Sequence, residues 1–385
     1  MILRKPLELY IHIPFCAKKC GYCDFLSGPA PVDTQRRYVE QLMEEIACQS
    51  FHYPGYRVTS VFLGGGTPSV LEPKQLLGIL DQVRGHFRLT EDAEVTMEVN
   101  PGTVTMEKLQ ACREGGINRI SIGLQSSDDG ELKVLGRIHT YDEFLKTFQR
   151  VRQAGFSNVS VDLMSALPGQ TLASWKTTLK NVTMLKPEHI SAYSLMIEEG
   201  TPFYHRYHDH PELLPNEQEE REMYYLTKQY LHGLGFERYE ISNYAKPGYE
   251  CRHNTGYWTG VEYLGLGLGA SSYIQGFRFR NEPDLGTYCQ IAMAGPDADE
   301  RLHKEIVRLT HKEMMEEFMF LGLRLMRGVS GQEFERRFGV RMGDVYGEVL
   351  AKLLKNRLIV IEEPYVRLSE FGIDISNYVL SEFLL

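Results

Sequence analysis

From Glu8 to about Tyr193, short apolar runs alternate with longer amphipathic stretches. The strand-like runs are Leu9–Ile13, Val58–Leu63, Glu94–Val99, Arg119–Gly123, Val159–Leu163 and His189–Tyr193. Helix-like stretches lie near 34–49, 73–87, 105–114, 141–154 and 171–185. Six strands joined by helix-length crossovers predict an α/β fold with a parallel sheet, as an open or complete barrel. Polar or glycine residues follow the strand ends at Cys16, Gly64–Thr67, Asn100, Gln125 and Met164. In α/β barrels that carboxyl-end face carries the site.

After Tyr193 the rhythm breaks. Residues 201–215, rich in His and Pro, read as an exposed loop before a charged helix, Asn216–Leu234. The stretch 239–280 is aromatic and glycine-rich with weak periodicity. From about 300 the chain reads as helices, a two-stranded element at Leu358–Ile361 and Tyr365–Leu368, and a last helix. That order resembles a winged helix, but 13 Lys/Arg against 13 Asp/Glu over 301–385 argue against a DNA-binding role. Expected units are a barrel over 1–235, an aromatic and glycine-rich segment over 236–300, and a mainly helical winged-helix-like domain over 301–385.

Composition narrows the class. With 385 residues, 43% hydrophobic and 24% charged, the chain is an ordinary globular protein of barrel size with an appendage. A net charge of −9 argues against a nucleic-acid partner. The first ten residues carry Arg4, Lys5 and Glu8 and lack the apolar core of a signal peptide. No apolar run approaches a membrane span. The expectation is a cytoplasmic protein with reduced thiols and no direct membrane insertion.

Three of the seven cysteines share one loop, Cys16-x-x-x-Cys20-x-x-Cys23, directly after a strand. Three thiolates there can hold three irons of a [4Fe–4S] cube and leave the fourth iron open. Zinc is the rival, but a structural zinc site takes four ligands, usually as two pairs, and no second pair follows. The alternative of unrelated core cysteines fits poorly with the Gly, Lys and Pro around them. Cys48, Cys112, Cys251 and Cys289 read as small buried hydrophobes.

The cysteine spacing, with Tyr22 before the last Cys, resembles the motif of the radical S-adenosylmethionine family. There the methionyl group chelates the open iron, and one electron from the cluster cleaves the sulfonium to a 5′-deoxyadenosyl radical. Gly64-Gly-Gly-Thr-Pro-Ser69 resembles the family's glycine motif against the methionyl amino group. Glu98–Pro101, Arg119–Ser126, Leu135–His139, Asp162–Thr171 and Ile190–Leu195 resemble the oxygen-independent coproporphyrinogen III oxidase family, so the expected barrel is a partial or full radical-SAM barrel. By that resemblance Tyr10, Tyr22, Gly65, Gly66, Thr67, Glu98, Gln125, Arg137 and Asp162 line S-adenosylmethionine. Asp162 and Glu98 can accept from ribose hydroxyls or an ammonium, and Arg137 can fork a carboxylate.

Within that family two functions stand. One is a haem chaperone of the HemW branch; the other is the dehydrogenase that decarboxylates coproporphyrinogen III. The dehydrogenase branch carries a further Cys two residues after the third ligand, where this chain has Phe25, and a longer arm before the motif, where fifteen residues precede Cys16. Both departures favour the chaperone. His253-Asn-Thr-Gly-Tyr-Trp258 matches the His-Asn-x-x-Tyr-Trp haem motif of that branch. The resemblance makes His253 an axial ligand, Tyr257 and Trp258 flat surface for a porphyrin, and Cys251 a second ligand or attachment point. The bland reading of His253 is a core histidine.

The expected partners are haem and a haem-accepting protein, with membrane-bound respiratory proteins in that class, and a homo-oligomer is left open. Ser271 stands where relatives often have His. Gly265–Ala270 fits a dinucleotide pattern but lacks the strand-turn-helix around it and reads as a packed glycine segment. His205, His208 and His210 have metal-like spacing in a setting that reads as exposed loop.

Overall fold

The computed structural model describes residues 4–385. Six strands lie parallel and in chain order: β1 (Lys5–Ile13), β2 (Tyr56–Gly65), β3 (Leu89–Val99), β4 (Arg119–Gln125), β5 (Val159–Ser165) and β6 (His189–Ser194). The crossovers carry α1 (Val32–Ser50), α2 (Pro73–His86), α3 (Met106–Glu114), α4 (Asp129–Leu135), α5 (Tyr141–Gln153) and α6 (Leu172–Thr183). Their starts follow local chemistry. Thr105, Asp128, Thr140 and Thr171 each accept from a first-turn N–H, and Thr140 and Thr171 form full capping boxes.

Each strand is two-faced. Leu9 and Ile11, Val61 and Leu63, Val95 and Met97, Ile120 and Ile122, Val159 and Val161 join one core packed under the helices. The residues on the opposite face are mostly polar, Phe62 being an apolar exception: Glu8, Tyr10 and His12; Ser60; Glu94 and Glu98; Arg119 and Ser121; Ser160 and Asp162; His189 and Ser191. Successive side chains of a strand point to opposite faces, so the second set lines the concave side of the curved sheet. There its members bond one another. Ser121 Oγ donates to Asp162 at 2.9 Å, and Ser160 Oγ is hydrogen-bonded to His189 Nδ1 at 2.8 Å.

The sheet continues past β6 at both edges. After α7 (Pro202–Tyr207) and α8 (Glu217–His232) come β7 (Glu237–Arg238) and β8 (Asn243–Ala245), and β8 runs antiparallel to β6. Then α9 (Arg252–Thr259) crosses the concave side and leads to β9 (Tyr263–Leu266), parallel to β1. Antiparallel strands β10 (Ser271–Ile274), β11 (Phe277–Asn281) and β12 (His303–Arg308) complete twelve strands, with short helices α10 (Leu285–Tyr288) and α11 (Ala298–Leu302) between the last two. β12 and β7 are the two edges, so the barrel is partial.

Three local readings change. The weakly periodic stretch 239–280 supplies strands of the main sheet, too short for alternation to register. His303–Arg308, read as the start of helices, is an edge strand. Within the loop reading of 201–215, Thr201 caps α7, on which His205 lies, while His208 and His210 follow it.

Gly265–Ala270 is a packed segment, as read. A Cβ on Gly265 would meet the Ser271 carbonyl at 2.3 Å, and Gly267 has φ +95°. Buried Glu45 of α1 accepts from the Gly267 N–H and from Asn281 Nδ2, and so braces α1 to this segment.

Beyond β12 a second apolar core forms around α12 (His311–Gly322), α13 (Gly331–Phe338) and α14 (Met342–Lys355). A three-stranded sheet of β13 (Val329–Ser330), β14 (Ile359–Glu362) and β15 (Tyr365–Leu368) flanks it, and α15 (Glu370–Asp374) and α16 (Ser376–Ser381) close the chain.

Arg119 is the central cation of the concave face. It is 2% exposed, and the charges that hold its guanidinium protonated include Glu94 and Asp162. Removing one partner of a buried charge cluster leaves the others uncompensated, at about 3–5 kcal/mol. Arg119→Met is therefore expected to lower unfolding stability by about 3–5 kcal/mol in denaturant titration. A loss below about 1 kcal/mol would mean that the carboxylates do not depend on it.

Candidate functional site

The cysteine loop leaves β1 and crosses the carboxyl end of the sheet. It is clipped there by backbone bonds: Cys16 N–H to the Gly28 carbonyl (3.1 Å), Gly28 N–H to Pro14 (3.0 Å) and Gly21 N–H to Leu135 (3.1 Å). Helix α7 buttresses it from outside. Phe203 N–H donates to the Gly21 carbonyl, its ring packs edge-on against Tyr22, and a Cβ on Gly21 would meet that ring at 2.7 Å. Cys16, Cys20 and Cys23 are free and partly exposed. Burial pushes the Cys16 and Cys23 thiols up.

The glycine turn at the end of β2 is stitched to the same loop. Gly66 N–H donates to the Ile13 carbonyl (2.8 Å) and Thr67 N–H to that of Phe15 (2.7 Å). Gly65 has φ +107°, and a Cβ there would lie 2.4 Å from the His12 ring. On Gly66 it would lie 2.5 Å from the Phe15 carbonyl. Only glycine allows this approach. Gly65 N–H donates to Glu98 Oε2 at 3.2 Å, which leaves the rest of that carboxyl facing the cavity.

Loop, turn and strand ends enclose a cavity of about 590 Å³. Cys16, Cys20, Cys23, Tyr10, Tyr22, Gly65, Gly66, Thr67, Glu98, Gln125, Arg137, Asp162 and His253 all line it. Arg137 spans the cysteine loop and the strand ends. Its Nη1 donates to Cys20 Sγ (3.7 Å) and its Nη2 to Asn100 Oδ1 (2.7 Å) and the Gly123 carbonyl (2.5 Å), while buried Nε has no partner. Asn100 Nδ2 donates onward to Thr67 Oγ1 at 2.7 Å. Gln125 ends β4 at φ +74°, a left-handed conformation that turns the chain at the rim. Tyr10 OH is hydrogen-bonded to His12 Nδ1 at 3.0 Å.

These residues fit a cluster with a small zwitterionic ligand. Among the described residues no three His, Cys, Asp or Glu donors converge on one metal ion, as zinc would need, whereas thiolates on separate irons of a cube need no common point. The mouth also offers two carboxyls, Glu98 and Asp162, both held above their usual range by burial. The Asp162 charge adds to the effect on Glu98, which is pushed up to about 8.

His253 is placed differently from an open axial ligand. It is 1% exposed at the floor of the cavity, and Phe62 stacks on it at 5.1 Å. Nδ1 is hydrogen-bonded to Ser60 Oγ (2.9 Å) and Nε2 to Tyr257 OH (3.0 Å), so neither nitrogen is free for iron in this arrangement. Burial, with Arg119 nearby, pushes its pKa down to about 3, so it stays neutral. Gly256 of the same motif lets α9 close over Glu8, which a Cβ would strike at 2.1 Å. Cys251 is fully buried and donates to Glu94 Oε1 at 3.4 Å, which removes it as an attachment point. Trp258 turns away and stacks beneath the Arg324 guanidinium at 4.4 Å.

Arg119, Ser121, Ser191 and Phe203 were not singled out from the sequence as site residues, whereas Asn100 was flagged by its place after a strand end. All but Phe203 line the cavity. Strict alternation within β4 and β6 flags Arg119, Ser121 and Ser191; nothing local flags Phe203.

Comparison with known proteins accords with this geometry. The sequence pattern described as radical SAM superfamily matches residues 10–182, and that of the HemN C-terminal domain matches 309–375. A protein of Lactococcus lactis named heme chaperone HemW is 37% identical over 100% of this chain and 99% of its own length. The chain belongs to the radical SAM superfamily, in the HemW family.

The Escherichia coli protein of the same name is 40% identical over 70% of this chain and 71% of its own length. A mouse mitochondrial protein named radical S-adenosyl methionine domain-containing protein 1 is 33% identical, covering 98% and 87%. The solved structure of Escherichia coli coproporphyrinogen III oxidase superposes with a TM-score of 0.85 over 99% of this chain and 90% of that one. At 24% identity it shows the shared fold. Membership of the superfamily implies a [4Fe–4S] cluster and S-adenosylmethionine. No helix among the described residues is long and apolar enough to cross a membrane.

The raised Glu98 yields a pH dependence. Its carboxyl is protonated in the folded protein up to about pH 8 but titrates near 4.5 once unfolded. Folding therefore takes up a proton between those values, and this contribution to stability falls as pH rises through the window. Glu98→Gln is expected to flatten unfolding stability against pH between about 5 and 8. A slope unchanged from the parent's would show that Glu98 titrates normally.

Proposed function

We propose that this protein is a haem chaperone. It holds a [4Fe–4S] cluster on Cys16, Cys20 and Cys23, binds S-adenosylmethionine in the adjoining cavity, and passes haem to acceptor proteins. The observation that carries the reading is the full-length identity with proteins named heme chaperone. Supporting it, one cavity holds the cysteine loop, the glycine turn and two carboxyls. A cluster there supplies single electrons and an open iron position. Arg137 then fixes the loop against the strand ends and is charge-matched to a carboxylate. Gly65 and Gly66 admit a ligand close to the backbone, while Glu98 and Asp162 receive an ammonium or ribose hydroxyls.

The dehydrogenase reading has behind it the shared fold and the HemN C-terminal pattern, but the full-length sequence identity lies with proteins named for the chaperone, and fold alone does not carry function. One incubation separates the two. Cluster-reconstituted protein given haem and coproporphyrinogen III anaerobically, with S-adenosylmethionine and a reductant, is expected to develop a stoichiometric Soret band and to form no protoporphyrinogen. It should then lose that band to an apo-haemoprotein acceptor. Protoporphyrinogen formation at turnover would overturn the chaperone reading.

A further inference from the structure

The second large space in the molecule lies outside the cluster cavity, between the main sheet and the C-terminal helices. Its volume is about 1120 Å³. Pockets that bury small ligands are typically about 300–1,000 Å³, so this one suits a large, flat molecule. One wall is the end of α9 and the start of β9, with Tyr257, Trp258 and Tyr263. The other is α12 and α13, with Met314, Phe318 and Phe338. Aromatic faces on both sides of a slot are the surface a planar macrocycle buries best.

The charge is as specific as the shape. In a chain of net −9, this cleft carries five cations against three carboxylates. Each carboxylate is occupied. Glu317 holds Arg278 through two bonds (2.7 and 2.8 Å), Glu333 holds both Arg336 and Arg337, and Glu262 accepts from Tyr56. Lys5 and Arg327 make no ion pair among the described residues. Two spare cations beside an aromatic slot match a planar ligand with two carboxylates. The Trp258 indole N–H, buried at this wall, also has no acceptor.

We infer that this cleft is the haem site, with the macrocycle between α9 and α12–α13 and its two propionates against Lys5 and Arg327. The assignment rests on the chaperone reading for the identity of the ligand. It explains why the motif around His253 splits in two directions. Tyr257 lines both the cluster cavity and the cleft, and His253, bonded to its hydroxyl, holds that shared wall from behind. Trp258 faces the cleft alone. Among the described residues no histidine lines the cleft, so plate and propionates supply the recognition, with the Met314 thioether the soft donor within it.

The test is hemin titration of the full-length protein and of Lys5→Glu/Arg327→Glu. Hemin dimethyl ester, which lacks the carboxylate charges, is added from the same dilute detergent. Both positions are exposed, so the double variant should retain the parent's melting temperature and iron–sulfur content. The expected result is at least tenfold weaker hemin binding with ester binding unchanged. Hemin binding equal to the parent's would overturn the cleft assignment. So would loss of binding in His253→Ala with the double variant unaffected, which would put the iron against the barrel histidine. A parent that binds no hemin at all would sink the chaperone reading itself, a different outcome from either.

Discussion

The structure depends on a parallel sheet whose two faces ask for opposite chemistry. Its convex side must be apolar because helices cover it, and its concave side is left to polar residues that water scarcely reaches. Those residues survive burial only by bonding one another. Ser160 meets His189, Ser121 meets Asp162, and Ser60 meets His253. Arg119 supplies the positive charge that keeps Glu94 and Asp162 tolerable. An apolar filling would give a more ordinary barrel core with nothing to offer a ligand.

The same constraint sets where the site opens. The polar rows run along the strands and end at the carboxyl rim, where Glu98, Gly123, Gln125 and Asp162 meet the cysteine loop. The loop is held by backbone bonds from two sides and by Phe203 from outside, so its three thiols face inward over the cavity. Arg137 links the two halves, with one nitrogen on Cys20 and another on Asn100. Cysteine loop and cavity therefore share one set of contacts.

Much of this was legible in the sequence, for physical reasons. Six strands stood out because each has an apolar row long enough to alternate or run continuously. The cysteine spacing and the triple glycine are chemically constrained, since thiolates and close backbone approach have few substitutes. What alternation could not reveal were the strands between 237 and 308, most of them two to five residues long, and their return to the main sheet. His253 exposes a different limit. Its motif forms α9, but only the fold shows that both ring nitrogens are engaged and that Trp258 faces another cavity. Phe203 was invisible because its role lies in a contact 182 residues back, with Gly21. The cleft was invisible for the same reason, since Lys5 and Arg327 come together only after folding.

The central claim is that the cysteine loop and the barrel mouth form a single site for a cluster and S-adenosylmethionine. The most direct measurement is the EPR spectrum of the reduced, reconstituted protein with and without saturating S-adenosylmethionine. The account predicts a signal whose g-values shift on addition, in the parent but not in Cys16→Ala/Cys20→Ala/Cys23→Ala, which should give no cluster signal. A cluster spectrum identical with and without the ligand would contradict it.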